Sequence, residues 1–369
     1  MKPFVNLAGQ RDAYRKELEK AERSVLDSGC YIGGPEVADL ERELGKFCGG
    51  IPAITCGSGT EALSIALMAI GLRPGDEVIV PDFTFIAPAE CVAALGGVPK
   101  FADINPETLL VSPESVKTLI GPKTRGIIAV DIFGQCAPFG ELRNIAQKHG
   151  LWLIEDAAQA FGAIQDSHHA CTFGDISITS FYPSKPLGCY GDGGALFTQN
   201  NELAARIRQI ANHGSKERYR HEIVGVNSRL DALQAAILRV KLRHLEDELK
   251  VRRENARKYD EFFAALNDCL GGNLNGAKIV PQKIAEGNTS TYAQYTVQAE
   301  NREAFIEKLD KAGIPHCIHY PMALRHQKCF AAGFTTGNVT DAACEKVVSL
   351  PVCAFTDVDF IINKLRAVL

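Results

Sequence analysis

Residues 152–198 read WLIEDAAQAFGAIQDSHHACTFGDISITSFYPSKPLGCYGDGGALFT. Three β-rich runs stand in this stretch: WLIED around Ile154, ISITSF around Thr179 and ALFT around Leu196. The first ends on Asp156, and a loop rich in Pro and Gly between the second and third carries Lys185. Working back toward the N-terminus, EVIVP ending at Pro81, VPKFADI around Phe101 and RGIIAV ending at Val130 read as further strands. Helix-compatible stretches begin near Ala87, Ser112, Phe139 and Asn200. Short strands alternating with longer helical patterns predict an α/β fold built on a large, mainly parallel sheet with helical crossovers. The loops at the C-termini of its strands are where such a fold holds its chemistry.

After Ala211 the pattern changes to a polar, glycine-containing loop, HGSKERYRHEIVGVNSRLD, and then to a long helical stretch from about Leu230 to Phe263. A domain boundary is expected near the middle of that helix, dividing a large α/β domain, residues 1–245, from a smaller C-terminal α+β domain, residues 246–369. The smaller part contains a candidate strand YAQYTV around Tyr295, a helix-like REAFIEKLDKAG ending at Gly313, the segment IPHCIHYP and a last helix near Asp359. GGNLNGA at residues 271–277 reads as a loop.

The 369 residues suit two domains at roughly 100 to 200 residues each. A hydrophobic fraction of 46% with 23% charged residues excludes a wholly disordered or collagen-like chain. Forty basic against forty-four acidic side chains give a net charge of −4, which argues against polyanion binding by bulk electrostatics, so no nucleic-acid partner is expected. No apolar run approaches the ~18 residues of a membrane helix, and no membrane partner is expected. The opening MKPFVNLAGQRDAYRKELEK turns charged before a signal-peptide core forms, so the expected address is cytoplasmic. Twelve cysteines are scattered from Cys30 to Cys353 with no CxxC spacing, which reads as reduced thiols packed as small hydrophobes, and no metal is expected.

Three places offer chemistry. In CGSGTEALSIALMAIGL, the small residues Gly57, Ser58, Gly59 and Thr60 directly precede helical apolar spacing at Leu63, Leu67 and Ile70. Free N–H groups and a positive dipole end favour a phosphate there, although ordinary capping by Ser58 or Thr60 explains the same residues. Asp156, at the end of its β-rich run, is suited to keep a heteroaromatic nitrogen protonated or simply to cap the next turn, with Gln159 on the same ligand or on adjacent backbone. Lys185 is either a solvated surface lysine or, enclosed by Tyr182, Pro183, Pro186 and Tyr190, an amine of lowered pKa and nucleophilic character. Gly188, Gly191, Gly193 and Gly194 do not open a helix, so a dinucleotide fingerprint fits poorly.

A phosphate-binding helix start, an aspartate about a hundred residues later and a lysine about thirty beyond it form the order of parts needed for pyridoxal 5'-phosphate. At these residues the sequence resembles the DegT/StrS family of sugar aminotransferases, which implies the aspartate-aminotransferase-type fold. The resemblance runs from SGCYIGGPEVADLERELGKFCG at Ser28 to VVSLPV at Val347, and is most specific in EDAAQAFGA, TSFYPSKPLGCYGDGGALFT and VGVNSRLDALQAAIL. PSKPLGCYGDGGA, with YAQYTV and HYP downstream, looks closest to the WbpE-type transaminases of UDP-2-acetamido-2-deoxy-3-oxo-glucuronate.

Carried over residue by residue, the resemblance implies that Lys185 holds the cofactor covalently and shuttles the proton, while Asp156 pairs with the pyridinium nitrogen. It implies Gln159 near the ring hydroxyl, Phe83 against the ring face, and Gly59, Thr60 and Ser180 on the phosphate. Asn227 is expected to reach the phosphate from the neighbouring subunit of a homodimer with shared sites, and Arg229, His319 and Tyr320 to lie on the substrate side. The implied reaction takes nitrogen from L-glutamate, which leaves as 2-oxoglutarate, and gives it to a nucleotide-linked keto sugar for surface polysaccharide, such as the O-antigen of lipopolysaccharide. The runner-up substrate is a dTDP- or UDP-linked 3-keto or 4-keto 6-deoxy sugar. Family dehydratases carry histidine in place of the lysine or an iron–sulfur cluster, and neither pattern is present. A noncatalytic regulator that binds the cofactor as a sensor would be expected to add a signalling or DNA-binding segment, and none is visible.

Overall fold

A computed structural model of the chain describes residues 3–269, 278–330 and 338–369. Seven strands hydrogen-bond in the order Ala53–Cys56, Gly194–Phe197, Ile176–Ser180, Trp152–Asp156, Thr124–Val130, Glu77–Pro81, Val98–Ala102. Only Gly194–Phe197 runs antiparallel to its neighbours. Most of these strands are buried on both faces, which is why they read as near-continuous apolar runs rather than as alternation. Ile127, Ala129 and Leu153 enter one core, and Ile128, Ile154, Ile176 and Ile178 enter the other. The helices Ala87–Ala94, Pro113–Leu119 and Phe139–His149 make the crossovers at the places expected.

All six expected strands form, and Ala53–Cys56 is an addition. Its four residues, buried throughout, are too few to show a period. The helices Leu7–Ser28 and Gly34–Phe47 were also not foreseen, and the first buries only Gln10, Leu18 and Val25, too weak an apolar stripe to register.

The long helix spans Ala232–Cys269. Leu238, Leu245 and Leu249 pack into the core of the large sheet, whereas Ala256, Tyr259 and Phe263 belong to a separate core with Tyr295, Phe305 and Leu365. That second core lies on an antiparallel sheet, Ile279–Pro281, Tyr295–Ala299 and Val347–Leu350, flanked by the helices Arg302–Ala312 and Val358–Val368. The expected helix end at Gly313 is a left-handed cap with φ 62°. The 271–277 stretch expected as a loop lies outside the described residues. Among the described residues, no helix is long and apolar enough to cross a membrane.

Candidate active site

Side chains alternate along a strand, so Ile154 and Asp156 share a face. Parallel pairing of Asp156 with Ile178 puts Ser180 two residues farther on that same face, which the helix Gly59–Ile70 covers. Asp156 is 5% exposed, and its Oδ1 accepts a hydrogen bond from the Ala158 N–H at 3.0 Å. Turn capping therefore occurs, but it occupies one oxygen only. Burial pushes the carboxyl up to about 6, against the opposing pull of the Ala158 bond and the Lys185 charge.

Lys185 is half-buried in the loop between Ile176–Ser180 and Gly194–Phe197, and its N–H donates to the Tyr182 carbonyl at 2.9 Å. Burial lowers its pKa, while the Asp156 charge acts the other way. The two groups thus sit in one another's field, and a depressed lysine supplies more free amine at neutral pH. The expected four-sided enclosure needs correction, because Tyr182 is 55% exposed and the Tyr190 ring lies under the Lys241 ammonium, 4.1 Å from its centroid. Lys241 is buried and donates to the Gly188 carbonyl at 2.7 Å, which ties down the loop three residues beyond Lys185.

Ser58 caps the helix start, its Oγ accepting from the Glu61 N–H at 3.1 Å, and the Gly59 and Thr60 amides precede the first intrahelical bond. A Cβ on Gly59 would come within 2.7 Å of Ser180 Cβ, and one on Gly194 within 2.6 Å of the Ser58 backbone. Glycine at both positions lets the helix start settle on the strand ends. Free amides, the dipole end and the Ser180 hydroxyl are a donor set suited to a phosphate.

Gln159 is buried, accepting from the Phe133 N–H at 2.7 Å through Oε1 and donating through Nε2 to Tyr320 Oη at 3.1 Å. Phe83 packs edge-on to Tyr320 with ring centroids 6.0 Å apart. His319 meets Ser349 Oγ at 3.0 Å through Nδ1, and burial followed by the Lys185 charge lowers its pKa. Lys185, Asp156, Gln159, His319 and Tyr320 are therefore brought together, with Phe83 beside them.

Asn227 and Arg229 are exposed, and their contacts do not lead to Lys185. The residue between them, Ser228, is buried, accepts from the Gly57 N–H at 3.0 Å and donates to Glu61, so it anchors this segment to the helix start. Among the described residues Arg229 forms no ion pair, with Asp231 or another nearby acid, and Asp231 Oδ1 instead accepts from the Gln234 N–H at 2.9 Å. Arg229 lines a groove with Ile32, Glu41 and Arg208. Ser228 and Lys241 escaped the sequence reading, although Ser228 stands inside the quoted VGVNSRLD. Among the described residues there is no cluster of three or more His, Cys, Asp and Glu that would hold a metal ion.

Over residues 12–366 the chain matches the sequence model of the DegT/DnrJ/EryC1/StrS aminotransferase family. It is 45% identical over 354 residues to the UDP-2-acetamido-2-deoxy-3-oxo-D-glucuronate aminotransferase of Pseudomonas aeruginosa, a match that covers 96% of each chain. Among solved structures it resembles a DegT DnrJ EryC1 StrS aminotransferase from Brucella abortus, with TM-score 0.93 and 37% identity over 100% of this chain and 99% of that one. It also resembles NtdA from Bacillus subtilis, solved with bound cofactor PMP, with TM-score 0.89 and 29% identity over 99% of this chain and 84% of that one.

Proposed function

The chain belongs to the DegT/DnrJ/EryC1/StrS aminotransferase family, whose enzymes depend on pyridoxal phosphate, and from that premise we propose that it moves an amino group from L-glutamate to a nucleotide-linked keto sugar. The favoured acceptor is UDP-2-acetamido-2-deoxy-3-oxo-glucuronate, which leaves as the 3-amino sugar nucleotide for O-antigen precursors. The observation that carries the reading is the mutual field of Asp156 and Lys185 at the strand ends, beside a helix start whose first amides are free.

Pyridoxal 5'-phosphate, when bound, supplies a carbonyl carbon for the transferred nitrogen and a protonated ring that withdraws electrons. In this reading Lys185 Nζ would hold the cofactor and, as a free amine, would take the proton from the amino acid's α-carbon and deliver it to the cofactor's exocyclic carbon on the other side of the nitrogen. Asp156, whose Oδ1 already accepts from the Ala158 N–H, would hold the proton on the ring nitrogen through its other oxygen. The Gly59 and Thr60 amides and the Ser180 hydroxyl bind phosphate, Gln159 faces the ring hydroxyl and Phe83 borders the ring. His319 and Tyr320 would meet the substrates beside Lys185, while Arg229 and Asn227, exposed on their own chain, would reach a substrate and the phosphate only in the site of a second subunit of a cytoplasmic homodimer. The large and small domains meet near residue 245.

The test is incubation of the loaded enzyme with glutamate and a panel of UDP- and dTDP-linked keto sugars, the unstable 3-keto sugars being generated in place by a coupled dehydrogenase. Mass spectrometry is expected to find the 3-amino uronic acid and 2-oxoglutarate. Amination of only a 6-deoxy sugar would move the assignment to the dTDP-linked class, and no amination of any sugar would defeat it.

A further inference from the structure

Behind Asp156, on the opposite face of the large sheet, lie two carboxyls that amino transfer does not use. In the parallel register Ala129 pairs with Glu155 and Val130 with Asp156. Alternation along the strands turns Glu155 away from the Asp156 face, and Asp131, two residues beyond Ala129, falls on the Glu155 side. Asp131 extends the ladder by donating its N–H to the Asp156 carbonyl at 3.0 Å. Both side chains are fully buried, and among the described residues neither forms an ion pair.

Their hydrogen bonds are unequal. Glu155 accepts three, from the Cys171 N–H at 2.7 Å, the Phe173 N–H at 2.8 Å and the Ser177 hydroxyl at 2.6 Å. Asp131 Oδ1 accepts one from the Ala137 N–H at 2.8 Å, and its buried Oδ2 accepts none. The register sets the two carboxyls on one face of adjacent strands, Asp131 two residues beyond the partner of Glu155, so that each lies in the other's field. Two ionised carboxylates have no proton to put between them, and a buried charged oxygen without a donor is costly.

We infer that Asp131 carries a proton on Oδ2 and donates it to Glu155, so that the pair holds a single negative charge behind Asp156. Burial and the Glu155 charge push Asp131 well above the ordinary aspartate range; burial raises Glu155 too, but its three donors pull against that and favour its ionised form over that of Asp131. The other titratable groups around the pair are Asp156 and the thiols of Cys136 and Cys171, with Cys48 beside Cys171; burial first, then Cys48 in the case of Cys171, then the pair's own charges lift these two thiols so that they stay neutral. Asp131 is a positioning residue. Its hold on Ala137 closes the turn in which Phe133, at φ 59°, aims its N–H at Gln159. Its neutrality also keeps a second charge away from Asp156. That last consequence rests on the site roles proposed above, while the proton on Asp131 does not.

The test uses cofactor-free protein labelled with carbon-13 at aspartate side-chain carboxyls. At pH 7.5 one aspartate resonance is expected at the protonated position, and it should be missing from Asp131→Asn. A spectrum with every aspartate ionised overturns the inference, whether or not the variant folds. Asparagine can accept from Ala137 and donate to Glu155, so Asp131→Asn should keep the fold where Asp131→Ala loses stability. Because folding of the wild type then takes up a proton that the asparagine variant does not, its folding constant should fall relative to Asp131→Asn by up to about tenfold per pH unit as pH rises from 5 to 7. A flat ratio counts against the proton. A protonated Asp131 in a protein that aminates no sugar would sink the proposed function alone.

Discussion

Burial of Asp156 moves its carboxyl up to about 6, so keeping it ionised above that pH costs the cofactor-free protein on the order of 3 kcal/mol. The stability belonging to the protonated form is complete below the unfolded aspartate value near pH 4 and is lost as pH rises through 6. Cofactor-free Asp156→Asn should therefore match the wild type near pH 4 and exceed it at pH 8, by up to about 3 kcal/mol in urea denaturation. The same variant should lose most of its transamination, because a neutral amide cannot stabilise a pyridinium charge. Equal stability at both pH values together with near-normal turnover would remove Asp156 from its role. Lys185→Ala is expected to lower turnover at least ~10²- to 10⁴-fold, the usual share of a proton-transferring group, while phosphate contacts still retain cofactor. Loaded wild type should be yellow and shift its absorbance on adding glutamate, and normal transamination by Lys185→Ala would end this mechanism. Both residues were legible because Asp156 ends an apolar run and Lys185 stands in a Pro- and Gly-rich loop between two apolar runs, where a charged group is conspicuous. Lys241 was not, since a lysine in a long charged helix looks solvated until the fold places its ammonium on Gly188.

The crossover elements were legible for a physical reason: strands buried on two faces leave uninterrupted apolar runs, bounded by turn residues. Capping chemistry at Ser58 was visible too, yet nothing local indicated that the helix Gly59–Ile70 would rest on the end of Ile176–Ser180. That contact depends on a missing side chain. Gly59→Ala places a Cβ within 2.7 Å of Ser180 Cβ, so helix start and strand end must separate. The expected loss is roughly 1 to 3 kcal/mol in urea denaturation, the usual cost of overpacking. Weaker cofactor retention should accompany it, read by titrating cofactor-free protein with pyridoxal phosphate. Unchanged stability and affinity would show that the helix start yields freely, and would weaken the case for a shaped phosphate site.

At the scale of the whole molecule, the site forms where the small antiparallel unit meets the large sheet, through bonds spanning distances in sequence that no local pattern reports. Gln159 reaches Tyr320, and the Thr291 hydroxyl donates to the Gln159 carbonyl at 2.9 Å. Beside Phe83, the Arg325 guanidinium pairs with Asp82, and both side chains are at most 5% exposed. Arg325→Met strands that buried carboxylate, so urea denaturation should show a loss of roughly 3 to 5 kcal/mol, and a loss below 1 would mean water reaches the pair. The single chain leaves Asn227 exposed, with Ser228 and not Asn227 bound to its own helix start. An exposed residue held this close to a phosphate-type helix end is available to a second subunit. If sites are shared, a heterodimer of Lys185→Ala with Asn227→Asp contains one site with both native residues and one with neither. If each chain completes its own site, both sites stay defective. Mixing the two inactive variants at equal amounts, with exchange demonstrated by differently tagged chains, should then restore about a quarter of the wild-type activity per chain, because half of the dimers are mixed and half of their sites are whole. No recovery after complete exchange would place Asn227 in its own chain's site.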